Sequence, residues 1–371
     1  MGTTRRQFLK ESAKLLASGI IGANLIEKVS HADLQEIESE SSKRRVKYRV
    51  LGRTGLKVSV ISAGTVSTSE SVLRYAIRNG INFIHTSLGY SGGKSIKRVG
   101  LAIKGHRKKV ILGLKVTWDW NSDESLNKAL RILRTSYVDI LFFNIHNNPK
   151  RVASPQAKEA FERWKKQGKV KFMGLTTHGG MIACMNSALD TDWYDCLMPT
   201  YKLERREDYL EIFKRCQKQN VGFVAMKTDI SPDNPDKTAA ILKDKQITTI
   251  CRTIRTLNDV KKYIEASRRA LTRSEIERAA VLAKRSSFGR CMMCGTCTMS
   301  CPEQISVSDI VRCVDYYVDT MRDVDIAREN YAEIANGRNA ESCKRCGVCE
   351  SNCPNDVPIR HYILRAGRIF A

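Results

Sequence analysis

Ser69-Glu70-Ser71-Val72-Leu73-Arg74-Tyr75-Ala76-Ile77-Arg78-Asn79-Gly80-Ile81-Asn82-Phe83-Ile84-His85-Thr86-Ser87 reads as one helix, one turn and one strand. Ser69 is a helix-capping residue, Gly80 stands where a helix-ending glycine belongs, and residues 83–87 form a short apolar run. The same unit recurs along the chain. Candidate strands are 58–64, 83–87, 110–116, 140–146, 172–178, 196–201, 222–227 and 248–253. Helix patterns lie between them. Residues 69–79 and 123–135 open on capping residues, and 154–167 and 206–219 space their apolar side chains three and four apart. Gly105 and Gly168 repeat the position of Gly80. Eight such units in about 220 residues predict an α/β fold, a (β/α)8 TIM barrel. An open doubly wound sheet would place a Gly-rich phosphate loop after its first strand, and Gly64-Thr65-Val66-Ser67 is not one. Tyr48-Arg49-Val50 followed by Leu51-Gly52 predicts a small hairpin closing the barrel floor. Barrels of this kind carry their chemistry at the C-terminal ends of the strands. That rule selects His85, Lys115, Asn144, His146, His178, Tyr201 and Lys227. A lysine ending an apolar strand is costly to place there without a task, although its stem can also snorkel to the rim.

Past the barrel, cysteine takes over. Cys291, Cys294, Cys297 and Cys301 precede Pro302; Cys343, Cys346, Cys349 and Cys353 precede Pro354. Each run reads C-x2-C-x2-C-x3-C-P, the pattern that holds a cubane [4Fe–4S] cluster in bacterial ferredoxins. Three thiolates wrap one face of a cluster and the fourth reaches the other. The expected sets are therefore Cys291, Cys294, Cys297 and Cys353, and Cys301, Cys343, Cys346 and Cys349. Zinc usually takes two pairs of ligands, and disulfide frameworks are not usually so periodic. Two [4Fe–4S] clusters are the expected cofactors. The 41 residues between Cys301 and Cys343 exceed a compact two-cluster insert. Residues 306–321 and 324–335 have helical spacing, with Ser308 and Asp323 as caps, which resembles the helical ferredoxin domains attached to larger oxidoreductases. Arg290, Lys344 and Arg345, close to the ligands, favour the reduced, more negative cluster. Cys184, Cys196, Cys216, Cys251 and Cys313 read as buried core thiols.

The N-terminal end speaks to destination. Thr4-Arg5-Arg6-Gln7-Phe8-Leu9-Lys10 resembles a twin-arginine export signal, and the mild apolar stretch 15–26 is too short and polar to span a bilayer. Small residues at Ser30-His31-Ala32 offer a cleavage point. Export of a folded chain suits clusters assembled in the cytoplasm, so the expected location is the periplasm or the outer face of the cytoplasmic membrane. The expected domains are a signal peptide at 1–32, a linker at 33–44, the barrel at 45–270, a connecting helix at 271–286 and a mainly helical two-cluster domain at 287–371. The formal charge is +24, of which 1–32 carry +3, 33–285 carry +22 and 286–371 carry −1. The basic surface belongs to the barrel. It suggests an acidic redox partner or a peripheral contact with an anionic membrane, against the default of a simply solvated surface. An exported cluster protein is not expected to bind nucleic acid.

At the strand ends the chain resembles the aldo-keto reductases. Leu51-Gly52-Arg53-Thr54-Gly55-Leu56-Lys57-Val58-Ser59 matches the family's opening motif, and residues 80–90 match its G-I-N-x-x-D-T-A-x-x-Y segment except at one position. Residues 125–139 resemble the segment before the fourth strand and 168–174 the one leading into the fifth, so the similarity covers roughly 45–270. A subgroup of the family carries an appended cluster domain. The resemblance implies NADPH-dependent reduction of a small carbonyl substrate by an Asp, Tyr, Lys and His tetrad. In it the lysine's charge lowers the tyrosine's pKa and the aspartate holds the lysine. Tyr90 and Lys115 fill the tyrosine and lysine positions. His85 stands in place of the aspartate, and Asn144 in place of the histidine. His146, two residues on and on the same strand face, could substitute. A histidine at position 85 could serve as a new acid–base group or as a ligand. Tyr201 takes the position of the ring stacked on nicotinamide. Arg252 and Arg255 stand near the cofactor-phosphate position, where the usual Pro-Gly turn is missing. Dissociable NADPH is a cytoplasmic currency, which weighs against NADP(H) in an exported enzyme. The expectation is an exported iron–sulfur oxidoreductase with electrons passing through two clusters to or from the barrel. The alternatives are a non-catalytic electron carrier or docking subunit, and an NADPH-dependent carbonyl reductase with structural clusters.

Overall fold

A computed structural model describes residues 46–116 and 123–370. The expected signal peptide and linker lie outside the described residues. Eight parallel strands close a barrel: β3 (Ile61–Gly64), β4 (Phe83–Ser87), β5 (Ile111–Val116), β6 (Val138–Asn144), β7 (Val170–Thr177), β8 (Cys196–Pro199), β9 (Gly222–Met226) and β10 (Ile247–Thr253), with β10 paired to β3. The fold is a TIM barrel. The expected strand 58–64 splits in two. β2 (Lys57–Ser59) pairs antiparallel with β1 (Tyr48–Val50) as the floor hairpin, and only β3 enters the barrel. The expected strand 196–201 ends at Pro199, the residue with no N–H to donate to the ladder. Gly52 (φ 47°) turns the hairpin directly beneath β9, where a Cβ would lie 2.3 Å from the Gly222 nitrogen.

The barrel interior is filled by one face of each strand. Phe83, Phe142, Met198, Val224 and Cys251 form its apolar cluster, with the Phe83 and Phe142 rings 6.4 Å apart. Small residues make room for those rings: a Cβ on Gly174 would lie 2.4 Å from Phe142 Cδ1, and one on Gly113 2.9 Å from rings of both phenylalanines. The opposite strand faces meet the helical layer. That layer includes α1 (Glu70–Arg78), α2 (Lys94–Ala102), α3 (Glu124–Leu133), α4 (Pro155–Lys166), α5 (Met181–Thr191), α6 (Leu210–Lys218), α7 (Pro235–Lys243) and α8 (Leu257–Ala266). Ser69 caps α1 by accepting from the Val72 N–H. Asp123 makes no such cap bond; its carboxylate instead accepts from Trp164 Nε1 at 2.6 Å.

The connecting helix is α9 (Arg273–Ser287), two residues later than expected and started by a Thr272/Glu275 capping box. The C-terminal region then builds α10 (Val307–Arg312), a π-helix at Cys313–Thr320, α11 (Val324–Ala332) and α12 (Ile359–Phe370). Ser308 does not cap a helix. It is buried within α10, and its hydroxyl and N–H bond Thr298 Oγ1, both at 2.9 Å. Asp323 does cap α11, accepting from Ile326 N at 3.1 Å. The barrel and this region form one compact unit, Val46–Ala371.

Candidate functional site

The two cysteine runs fold alike. Met293 and Arg345, the second residue after the first cysteine of each run, both take φ 57°. Gly295 and Gly347 follow at 86° and 82°, then a single helical turn, Thr296–Met299 or Val348–Ser351. Left-handed backbone at a non-glycine residue costs roughly 1–2 kcal/mol. Its exact repetition therefore points to a shared structural demand. In each loop the strained residue's N–H donates to the first cysteine's Sγ at 3.4 Å. One hollow is lined by Cys291, Cys294, Cys297 and Cys353; a second by Cys301, Cys343, Cys346 and Cys349. These are the two sets the spacing implies, the fourth thiol crossing between runs. No disulfide joins the described cysteines. Among the described residues no three His, Cys, Asp or Glu side chains are gathered tightly enough for a single metal ion. Four-thiol sets spread too widely for a single ion fit an iron–sulfur cubane each. Burial pushes the Cys291 thiol up to about 12 and Cys349 up to about 11, so loading iron would release protons.

The first cysteine loop rests on the barrel. A Cβ on Gly295 would lie 2.7 Å from the Gly180 nitrogen and 2.9 Å from Asn147 Oδ1. Thr200 donates to Met293 Sδ at 3.6 Å. Asn147 Nδ2 donates to Ser308 Oγ at 3.2 Å. The second set sits away from this contact, and its Cys346 is the exposed thiol.

The barrel mouth is roofed by the same region. A cavity of about 60 Å³ is walled by His85, Tyr90, His178, Lys227 and Arg252 below and by Tyr316 and Tyr317 above. The π-helical register turns this tyrosine pair over the mouth. Lys227, just past β9, takes φ 51° and donates to Tyr317 Oη at 3.1 Å. Its ammonium lies 4.5 Å from the Tyr316 ring centre and 4.8 Å from that of Tyr317. Tyr317 in turn donates to Asn330 Oδ1 at 3.1 Å. Lys115 is buried with its Nζ 4.9 Å from the centre of the Tyr90 ring, and His85 sits edge-on to Tyr90 at 6.2 Å.

Electrostatics follow from burial. Desolvation, with Lys115 nearby, drives the His85 ring down to about 3. Burial lowers His146 and His178 well below the ordinary imidazole value. It also lowers Lys115, against the pull of Glu333, and Lys227, helped by Arg312. Tyr90 and Tyr317 are raised for the same reason and hold their protons.

His85, Tyr90 and Lys115 therefore come together. Asn144 faces the interior but is tied sideways, accepting from Thr176 Oγ1 at 2.8 Å. His146 stacks on His178 at 4.6 Å, and its Nδ1 accepts from the His178 N–H at 2.9 Å. Arg252 lines the cavity, whereas Arg255 stands at the rim and donates to the Met321 carbonyl at 3.4 Å. Tyr201 is elsewhere. Its ring is fully buried in the helical layer among Tyr209, Phe213 and Phe223. Strand alternation explains this: Cys196 and Met198 point inward, so residue 201 has the outward parity. The residues that sequence reasoning missed are Arg312, Tyr316 and Tyr317. The one signal was a charge and two aromatics interrupting an apolar helix face.

Comparison with known proteins agrees with this construction. Residues 62–228 match the model of the Aldo/keto reductase family, and 284–354 match a 4Fe-4S dicluster domain. The aldo-keto reductase YhdN of Bacillus subtilis is 27% identical over 188 residues, covering 44% of this chain and 56% of its own. The L-galactose dehydrogenase of Arabidopsis thaliana is 30% identical over 155 residues, covering 36% and 49%. The chain thus spans about half the length of the curated relatives it matches. In fold it is similar to the aldo-keto reductase from Klebsiella pneumoniae solved with NADP and acetate, at a TM-score of 0.52 and 19% identity over 64% of this chain and 95% of that one. The chain thus joins a barrel similar to the aldo/keto reductases to a segment that matches a 4Fe-4S dicluster domain towards its C-terminal end.

Proposed function

We propose that this protein is an exported iron–sulfur oxidoreductase in which two [4Fe–4S] clusters connect an outside redox partner with a reaction pocket in the barrel mouth. The observation that carries the reading is the shared wall. The loop Met293–Gly295 of the first thiol set packs on Gly180, Asn147 and Thr200, while the same region roofs the cavity with Tyr316 and Tyr317. When bound, the clusters supply single electrons. The chain's own residues do the remaining work: Tyr90 and Tyr317 hold protons at the cavity wall, Lys227 orients Tyr317, and the roof narrows access to the cavity. The exposed Cys346 supports the reading that the second set faces a partner, and the basic barrel supports an acidic one.

A dissociable NADP(H) does not fit this mouth. Tyr316, Tyr317 and Met321 cover it, and Arg255, expected at the phosphate, is turned to the Met321 carbonyl. The test uses anaerobically purified full chain. Spin spectroscopy after dithionite reduction is expected to show two cubane centres, eight irons per chain, with no bleaching by NADPH. Zinc in place of iron would overturn the reading, and so would NADPH reducing the clusters. Cys353→Ala is expected to remove the centre of the Cys291 set and leave the other. Export rests on Arg5 and Arg6. An Arg5→Lys, Arg6→Lys variant is expected to stay in the cytoplasm when fractions are blotted, and unchanged export would refute that part.

A further inference from the structure

The two cysteine loops are twins in backbone and differ in what meets their second thiol. Cys294 and Cys346 hold the same place in the two runs, each followed by a left-handed glycine, Gly295 or Gly347. Cys346 is exposed, whereas Cys294 shares a hollow with the barrel residues Arg205, Asp208 and Tyr209. Arg205 belongs to a short 3-10 segment, Leu203–Tyr209, that follows β8 and kinks at Arg205 itself (φ −116°, ψ 24°). Its Nε donates to Asp208 Oδ2 at 2.5 Å. Its Nη1 is buried and finds no oxygen or nitrogen partner among the described residues. The guanidinium instead meets Cys294 by charge and by hydrogen bond. The Thr296 hydroxyl lies 3.3 Å from the same sulfur. The twin position carries Val348, which has no side-chain donor. Burial alone would push the Cys294 thiol up; Thr296 and Arg205 outweigh it and hold the thiol below its ordinary value. Other charges nearby are already answered. Lys202, on the same loop, pairs with Asp229, and Asp315, which acts on Cys291, is met by Arg290 at 3.9 Å and Tyr362 at 3.2 Å.

We infer that Arg205 and Thr296 donate to the Cys294 sulfur in the loaded protein and raise the reduction potential of the centre held by the Cys291 set, Arg205 being the larger contributor. Once Cys294 is an iron ligand it carries no proton, so both groups can only donate to it. The sign follows from charge. Reduction adds an electron to a group that four thiolates already make negative. Donors and a cation beside a ligand sulfur therefore stabilise the reduced form more than the oxidised one. Asp208 takes one edge of the guanidinium and leaves Nη1 for the sulfur. Arg205 comes from the barrel, so the potential is set by the barrel as well as by the cysteine loop. The same stretch after β8 fixes the loop itself, through Thr200 and Met293 Sδ. The inference rests on the cluster reading of the Cys291 set and goes beyond it in naming the residues that set its potential.

The experiment is a redox titration of the anaerobically purified, cluster-loaded full chain, followed by low-temperature spin spectroscopy. Cys353→Ala, which keeps only the other centre, assigns the two signals. Arg205→Met is expected to shift the reduction equilibrium of the first centre about tenfold towards the oxidised form, about 59 mV lower for a one-electron couple, and to leave the second centre where it is. Thr296→Val gives the first loop the side chain of its twin and is expected to move the same midpoint the same way by less. The double variant Arg205→Met, Asp208→Asn is expected to keep the fall. Full iron content shows that each variant is loaded, and Arg205→Gln replaces the methionine variant if that one loses iron. An unmoved first midpoint in either single variant overturns the inference for that residue. An equal shift of both centres overturns it too, since that marks a change in the whole fold. So does full recovery in the double variant, which would assign the fall to the uncovered Asp208 carboxylate. A wild-type chain without cubane signals refutes the cluster reading instead, so the two readings fail separately.

Discussion

At the scale of single residues, the molecule is governed by charges taken out of water. Asp139 is the clearest structural case. Its carboxylate accepts from Arg107 at 2.9 Å, Lys171 at 2.9 Å and the Leu112 N–H at 3.0 Å, tying β5, β6 and β7 together. Asp139→Ala leaves the buried Leu112 N–H unanswered and removes the carboxylate from the part-buried Arg107, which keeps its bonds to Thr135, Val110 and Tyr137. It is expected to cost roughly 1–3 kcal/mol, read as a lower urea midpoint. The buried histidines set a pH dependence. His85, with a folded value of about 3, stays neutral in the folded chain, while the unfolded chain protonates it below about pH 6.5. The unfolded state then binds more protons, so the contribution is complete above about pH 6.5 and is lost as pH falls towards 3. By pH 5 the loss amounts to about 2 kcal/mol. His85→Gln is expected to shrink the stability difference between pH 7 and pH 5 by that amount. An undiminished difference in urea titrations would show that the ring is not the cause.

At the scale of elements, the barrel depends on pairing large side chains with missing ones. Gly174 on β7 and Gly113 on β5 leave the space that Phe142 and Phe83 fill. Gly174→Ala is expected to destabilise the protein by about 1–3 kcal/mol through overpacking. Adding Phe142→Leu is expected to recover part of the loss, a non-additivity that a double-mutant cycle measures. The π-helix Cys313–Thr320 is the other decisive element. It sets which side chains of this stretch face the mouth, and π-bulges are frequent at functional sites.

At the scale of the whole molecule, iron, roof and pocket are coupled by packing. The thiol hollows are lined by short loops resting on a small apolar cluster around Val307, Ile310, Val311 and Ile363, and metal loading adds to what that cluster contributes to the folding of this region. Removing iron by ferricyanide and chelator is expected to raise hydrogen exchange first in the cysteine loops and in 307–332, exposing the barrel mouth. Strands β5 to β7, with their own apolar core, are expected to stay protected. Exchange rising uniformly across both regions would contradict this order.

The eight strand–helix units, the floor hairpin and both cysteine sets could be read along the chain. Each is encoded in near neighbours: alternation at two, helical spacing at three and four, thiols two and three residues apart. Tyr90, Lys115 and His85 were equally legible, because residue order places them at the ends of adjacent strands. Tyr201 follows strand parity rather than the family position: with Cys196 and Met198 inward, residue 201 faces out of the barrel. What no local pattern held was the roof. Tyr317 meets Lys227 across 90 residues of chain, and Met293 meets Thr200 across 93. Such contacts arise only when two separately folded surfaces are pressed together. Local spacing specifies each surface, and only their tertiary packing decides that a cavity walled by Lys227, Tyr316 and Tyr317 lies between them.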